Sequence, residues 1–169
     1  MKNRIVLFAC LLLLTGLLVG CSVSVDDEIK NTTAKIEEAF NNKPMETNKS
    51  FESISYYLPN AMKIESEGTN NLIFEQGKQL YILFVNPNEE LDSKVMFEST
   101  GAKTKKDLVF ETFEDENRFG YVKVTEVEGN SYEVLVGIGG IKLTTQAKAS
   151  QISESAEQMM QIVSSVKYQ

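Results

Sequence analysis

Histidine and tryptophan are both missing from this chain of 169 residues, and cysteine occurs only twice, at Cys10 and Cys21. Histidine is the commonest general base near neutral pH and the commonest transition-metal ligand. Without it, Ser-His-Asp and Cys-His catalysis and His-ligated zinc sites are excluded. With both cysteines inside the first 21 residues, the rest of the chain has no disulfide framework and no thiol nucleophile. An enzyme built on this sequence would have to work with carboxylates, Lys, Tyr or Ser. Cations are also in short supply: 17 Lys and Arg face 24 Asp and Glu, a formal charge of −7. An acidic surface is repelled by nucleic acid, so no nucleic-acid partner is expected, and solubility is its simplest use.

What the chain does have begins at its N-terminus. Lys2 and Arg4 precede an apolar run from Ile5 to Val19, which ends in Leu18-Val19-Gly20-Cys21. A charged start, an apolar middle and a small residue before a cut are the marks of a secretory signal. The last four residues resemble the lipobox of bacterial lipoproteins, matching it at every position. That resemblance implies that residues 1–20 are removed, taking Cys10 with them. It also implies that Cys21 carries a diacylglyceryl thioether as the lipidated first residue. The alternative, a transmembrane anchor, is disfavoured because the run is about 15 residues, short of the roughly 20 that span a bilayer. Two acyl chains suffice for stable attachment. The expected product is an acidic domain on the extracytoplasmic face of the cell membrane, with the bilayer as its partner through Cys21. Losing Lys2 and Arg4 moves its formal charge from −7 to −9.

Removing 20 of 169 residues leaves 149, enough for one domain with a real core. Composition divides it into a lipidated N-terminus, helix and linker (21–50) and a globular part (51–169). In the first, Val25, Ile29, Thr32 or Thr33, Ile36 and Phe40 recur at helical spacing over Val25–Asn42. Asp26, Asp27 and Glu28 lie in the first turn, where carboxylates favour the helix dipole. Residues 41–50 are polar, contain Pro44 and read as a loop. From Phe51 to about Thr145 the pattern is strands and turns. Leu80–Val85 is apolar throughout, as in a strand buried on both faces. Tyr121–Val127 and Tyr132–Ile138 flank a hairpin signal at Glu128–Ser131, and Asp115–Arg118 should turn a Leu108–Phe113 strand into the first of these. Ser150–Val166 reads as a closing helix with Ile152, Ala156, Met159, Met160, Val163 and Val166 on one stripe, capped by Ser150 or Ser153.

The expected class is α+β: an antiparallel β meander with an N-terminal and a C-terminal helix packed on one face. A first strand leading into Tyr57-Leu58-Pro59-Asn60, a meander and a terminal helix ending in Ser-Ser-Val resemble the PsbP/Mog1-type fold, found in several bacterial lipoproteins.

Few constellations carry chemistry. Asp115, Asn117, Gly120 and Glu126 partly match a calcium-binding EF-hand loop. Phe119 stands where an oxygen ligand belongs, and the flanks read as strands, so an acidic hairpin turn is the better reading. Gly137, Gly139 and Gly140 lack the Lys-Ser/Thr of a phosphate loop and suit a bulge or a close backbone approach. Ser164 and Lys167 have serine–lysine spacing but no partner motifs, and fit a helix end. Tyr56, Tyr57 and Tyr81, with Phe51, are the candidates for a ligand groove, although core packing accounts for them more simply. No cofactor, metal site or catalytic residue is expected. The function expected is a non-enzymatic binding or accessory module of the cell envelope that takes an envelope protein or a small ligand. The alternatives are an envelope enzyme using paired carboxylates and a passive structural spacer.

Overall fold

The computed structural model describes residues 25–169; Cys21 and the signal-like segment lie outside them. Helix α1 spans Val25–Asn41. Short strands β1 (Lys49–Phe51) and β2 (Ile54–Tyr56) follow, then β3 (Lys63–Gly68), β4 (Asn71–Gln76) and β5 (Gln79–Val85). A strap runs from Asn86 to Lys106 and contains a short helix, α2 (Val95–Ser99). Next come β6 (Asp107–Glu114), β7 (Phe119–Val127), β8 (Ser131–Ile138) and β9 (Ile141–Lys148). A 3-10 turn (Ala149–Gln151) leads into α3 (Ile152–Ser165), and β10 (Lys167–Tyr168) ends the chain. Among the described residues no helix is long and apolar enough to cross a membrane.

Seven strands form one antiparallel sheet in the order β3-β4-β5-β9-β8-β7-β6. The fold class is therefore α+β as expected, but the meander is split. After β5 the strap carries the chain to the far edge, and β6 to β9 return by hairpins until β9 pairs with β5 (Leu83↔Leu143). The β7–β8 hairpin falls where the sequence signalled it, with Gly129 and Asn130 at φ 73° and 59°. Those left-handed values suit Gly and Asn in a tight turn.

Period two decides the two faces of the sheet. One face carries Leu72, Phe74, Tyr81, Leu83, Val124, Val134, Val136 and Leu143, all buried, and α3 lies across it with Ile152, Ala156, Met159, Met160 and Val163 at 0–1% exposure. Helix α1 packs beside α3, running the same way. Lys35 pairs with Glu157 at 3.0 Å, and Phe40 at the C-terminal end meets Phe113 at a ring separation of 5.8 Å. Ile36, Ala39 and Phe40 belong to the same core as the sheet. The compositional boundary at residue 50 therefore does not separate α1 from the domain. The polar loop after α1 is held down by Asn48, whose side chain bonds both Leu58 N–H (2.9 Å) and Leu58 C=O (3.0 Å).

Neither Ser150 nor Ser153 caps α3. Gln151 occupies the cap position without a side-chain cap bond, and its Oε1 accepts from Lys148 N–H at 3.3 Å. The 3-10 turn displaces the helix start and leaves Ser150 outside it.

On the opposite face the strap covers only β6 to β8. Phe97 packs on Phe110, Phe119 and Tyr121 at ring separations of 5.4, 5.4 and 5.6 Å. The strap is pinned where it enters β6. Asp107, whose side chain is fully covered, accepts from Thr125 Oγ1 and Thr104 N–H, both at 2.6 Å, with Lys123 Nζ at 3.6 Å. Burial pushes this carboxyl up, but the bonds from Thr125 and Thr104 and the Lys123 charge outweigh it and hold it below its ordinary value.

Two outcomes follow from this packing. Met159→Ala or Val163→Ala should cost about 1–4 kcal/mol in urea unfolding, through lost burial and a residual cavity. A stripe reserved for an outside partner would instead tolerate both within about 0.5 kcal/mol. Asp107→Asn should lose stability at pH 7. Because the native carboxyl sits below its unfolded value of about 3.9, its contribution is present above that pH and fades as pH falls through the native value. The urea midpoints of wild type and Asp107→Asn should therefore differ at pH 7 and converge on acidification.

Candidate functional site

The half of the outer face that the strap leaves open is the candidate site. Strand registers define a row across the sheet, Ile73–Ile82–Thr144–Leu135–Lys123–Phe110. At the Phe110 end the row lies under α2; at the Ile82 end it meets solvent. Leu80 and Ile82, two residues apart on one face of β5, are 49% and 48% exposed. The all-apolar run Leu80–Val85 is thus buried on one face only, and the expectation of a doubly buried strand is corrected. Its inward residues Tyr81, Leu83 and Val85 are covered by the helix layer, while nothing in the described chain covers Leu80 and Ile82.

Around this pair lies an open groove of about 1060 Å³, with Thr144, Gln146 and Glu133 along its floor and Lys78 and Gln151 at one end. Isolated exposed apolar residues need no explanation, but an adjacent pair in a concave surface with a polar rim suits an interaction site. Glu133 is the one carboxylate lining it. Below the groove, on the helix side, Gln79 Nε2 donates to Thr145 Oγ1 and Ser155 Oγ, both at 3.1 Å, and Tyr81 OH lies 3.4 Å from the same serine. This network ties the start of β5 to α3 and fixes the groove wall.

The aromatic candidates lie elsewhere. Tyr56 is fully buried beside Phe74, at a ring separation of 5.7 Å, and burial with the nearby Glu67 charge pushes its hydroxyl up to about 12. Tyr81 is 2% exposed, and burial raises it above its ordinary value in spite of the opposing Ser155 bond. Tyr57 is half-buried, its backbone N–H donating to Ser165 Oγ at 2.8 Å, and Phe51 packs against the core. None of the four lines the open groove. The signal for the groove was the exposed half of an apolar strand, which alternation alone does not reveal.

The remaining motifs resolve into structure. Asp115 Oδ1 accepts from the backbone N–H groups of Asn117 (3.0 Å) and Arg118 (2.9 Å), and Oδ2 pairs with the Arg118 guanidinium at 2.6 Å. With its oxygens so engaged it makes a turn, and Glu126 stands at the other end of β7. Among the described residues no cluster of three or more metal-ligating side chains occurs. A side chain at Gly137 would run into the Tyr121 ring, and one at Gly139 into the Glu90 carbonyl, so these glycines serve close backbone approach. Ser164 and Lys167 border a second, shallower depression of about 600 Å³ with Pro44, Leu91 and Arg118. Asp115 and Glu116 line it too, but the bond from Arg118 and the turn's N–H groups hold Asp115 below the usual carboxylate range. That suits a fixed anion and not the general acid that a paired-carboxylate enzyme needs.

No family model matches this chain, and no curated protein matches it. Among solved structures it is similar to the Ran-binding protein Mog1p of Saccharomyces cerevisiae, with a TM-score of 0.45 and 11% identity over 76% of this chain and 95% of that one. It is also similar to a protein from Bacteroides thetaiotaomicron, with a TM-score of 0.35 and 10% identity over 69% of this chain and 45% of that one.

Proposed function

We propose that this chain is a lipid-anchored lipoprotein of the extracytoplasmic face of the cell membrane. Its domain acts as a non-enzymatic binding or accessory module of the envelope. The observation that carries the reading is the N-terminal pattern itself: Lys2 and Arg4, an apolar run too short to span, and Leu18-Val19-Gly20-Cys21. The open groove supports the binding role, since Leu80 and Ile82 offer apolar contact beside polar groups able to orient a partner protein or small ligand.

In a bacterial host, labelling with an alkyne fatty acid should mark the wild-type chain and not Cys21→Ala, and the variant should leave the membrane fraction as precursor or shed protein. Unchanged retention with unchanged mass would sink the anchor. For the binding role, a photo-crosslinker at Ile82 in intact cells should give a discrete adduct that is lost with Leu80→Ser. The same probe at Val95, an exposed apolar residue on the strap, should give none. A passive spacer would yield no discrete adduct at either site.

A further inference from the structure

The lipid anchor and the turns of the domain have a fixed spatial relation. Helix α1 starts at Val25, four residues after Cys21. At most about 3.6 Å per residue, that places the start of α1 within about 14 Å of the acylated residue. This start lies at a definite end of the molecule. Helix α1 packs on α3 and on the Ala149–Gln151 turn, while Phe40, at its other end, stacks under Arg118 at 4.5 Å.

Strand registers assemble the rest of that end. Ser131 pairs with Lys148, Val127 with Ser131, Gln76 with Gln79, and Asp107 with Thr125. The turns at Gly77–Lys78, Glu128–Asn130 and Ala149–Gln151 and the strap's last residues therefore all lie at the anchor's end. The opposite end holds the Gly139–Gly140 turn, the loop after β5 packed on it, and Asp115–Arg118. Eight-residue β8 and β9 separate the two ends by about 26 Å.

Charge divides between the ends. Lys78, Lys103, Lys105, Lys106 and Lys148 are exposed on the anchor-side turns. Asp26, Asp27, Glu126 and Glu128 share that end and bring it near neutrality. The far turns hold Glu89, Glu90, Asp92, Glu114, Asp115 and Glu116, with Lys94 and Arg118 pairing Glu114 and Asp115. The domain is thus acidic on the side away from its anchor.

We propose that the end carrying these five lysines rests on the bilayer, its ammonium groups on the phosphates of anionic lipid headgroups, so that the acidic end and the Asp115–Arg118 depression point away from the membrane. The proposal rests on the lipid-anchor reading. Each lysine at an anionic surface contributes on the order of 1 kcal/mol, too little to bind a domain alone but enough to orient one already tethered. The groove opens beside Lys78 and Lys148, so its occupant would be met close to the membrane surface.

The test uses the full chain, expressed and processed in bacteria, with acylation read as the mass of the Cys21 peptide. Beyond Cys21 the sequence has no cysteine, so a fluorophore on Ser150→Cys or on Glu116→Cys is unique. In phosphatidylcholine vesicles containing phosphatidylglycerol and a headgroup-nitroxide lipid, quenching should be several-fold stronger at position 150 than at 116. Omitting phosphatidylglycerol should weaken it at 150, as should replacing Lys103, Lys105 and Lys106 together with Gln, while the triple Lys→Arg variant should retain it. Equal quenching at both sites, or insensitivity to both phosphatidylglycerol and the Gln variant, with acylation intact, overturns the orientation and leaves the anchor standing. Absence of the acyl mass at Cys21 overturns the anchor and the orientation together.

Discussion

The structure depends on covering one face of a wide sheet. Seven strands at about 4.8 Å spacing extend across roughly 29 Å, and their inner face is lined by Val, Leu, Ile, Phe and Tyr. Helix α3, with 14 residues, is only about 21 Å long and 10–12 Å across. It covers the centre with Ile152, Ala156, Met159 and Val163, and the margin needs more. Helix α1 supplies it along the α3 flank with Ile36 and Phe40, and the small β1-β2-β10 sheet closes the end where α3 stops. Both terminal segments are therefore held by the same burial. Tyr57 N–H to Ser165 Oγ and Gln169 N–H to Ser53 C=O (2.7 Å) complete that closure.

The outer face is treated unevenly. The chain must cross from β5 at the middle of the sheet to β6 at its edge, and the crossing segment lies over the strands it passes. Phe97 and Met96 bury Phe119, Tyr121 and Leu135, and Lys123 spans Phe110 (5.5 Å) and the Thr100 carbonyl (3.0 Å) on the way to Asp107. Topology rather than local sequence therefore leaves Leu80 and Ile82 open. Cover and groove are two results of one crossover. The groove keeps its shape because its wall is tied to α3 through Gln79, Thr145 and Ser155.

Chemistry is sparse in this architecture, and the titratable groups show why. Tyr56 and Tyr121 are raised chiefly by burial and stay neutral as packing residues. Asp107 and Asp115 are lowered by hydrogen bonds that make them pins for the strap and a turn. Each shifted carboxyl has a structural partner accounting for the shift, and neither faces a second carboxyl across a cleft. Function is better sought in surfaces: the open groove, and the contrast between lysine-bearing turns at one end and acidic turns at the other.

From residues alone, the missing histidine and thiol set the excluded chemistries, and the N-terminal pattern pointed to Cys21. Both terminal helices and the β7–β8 hairpin were legible because 3.6- and 2-residue periods and a Gly-Asn turn are local signals. The sequence reading placed α3 two residues early, since a 3-10 turn and a serine-capped helix start look alike in sequence. It took Leu80–Val85 as buried on both faces and Tyr56 and Tyr81 as groove candidates, because an apolar or aromatic side chain does not say which neighbour will cover it. That choice was made only by tertiary structure. Strand order joins β5 to β9, some sixty residues apart, and the crossover covers one half of a face and spares the other. The end of the molecule at which α1 begins is likewise set by its packing beside α3, a contact between the two ends of the described chain that no local period encodes.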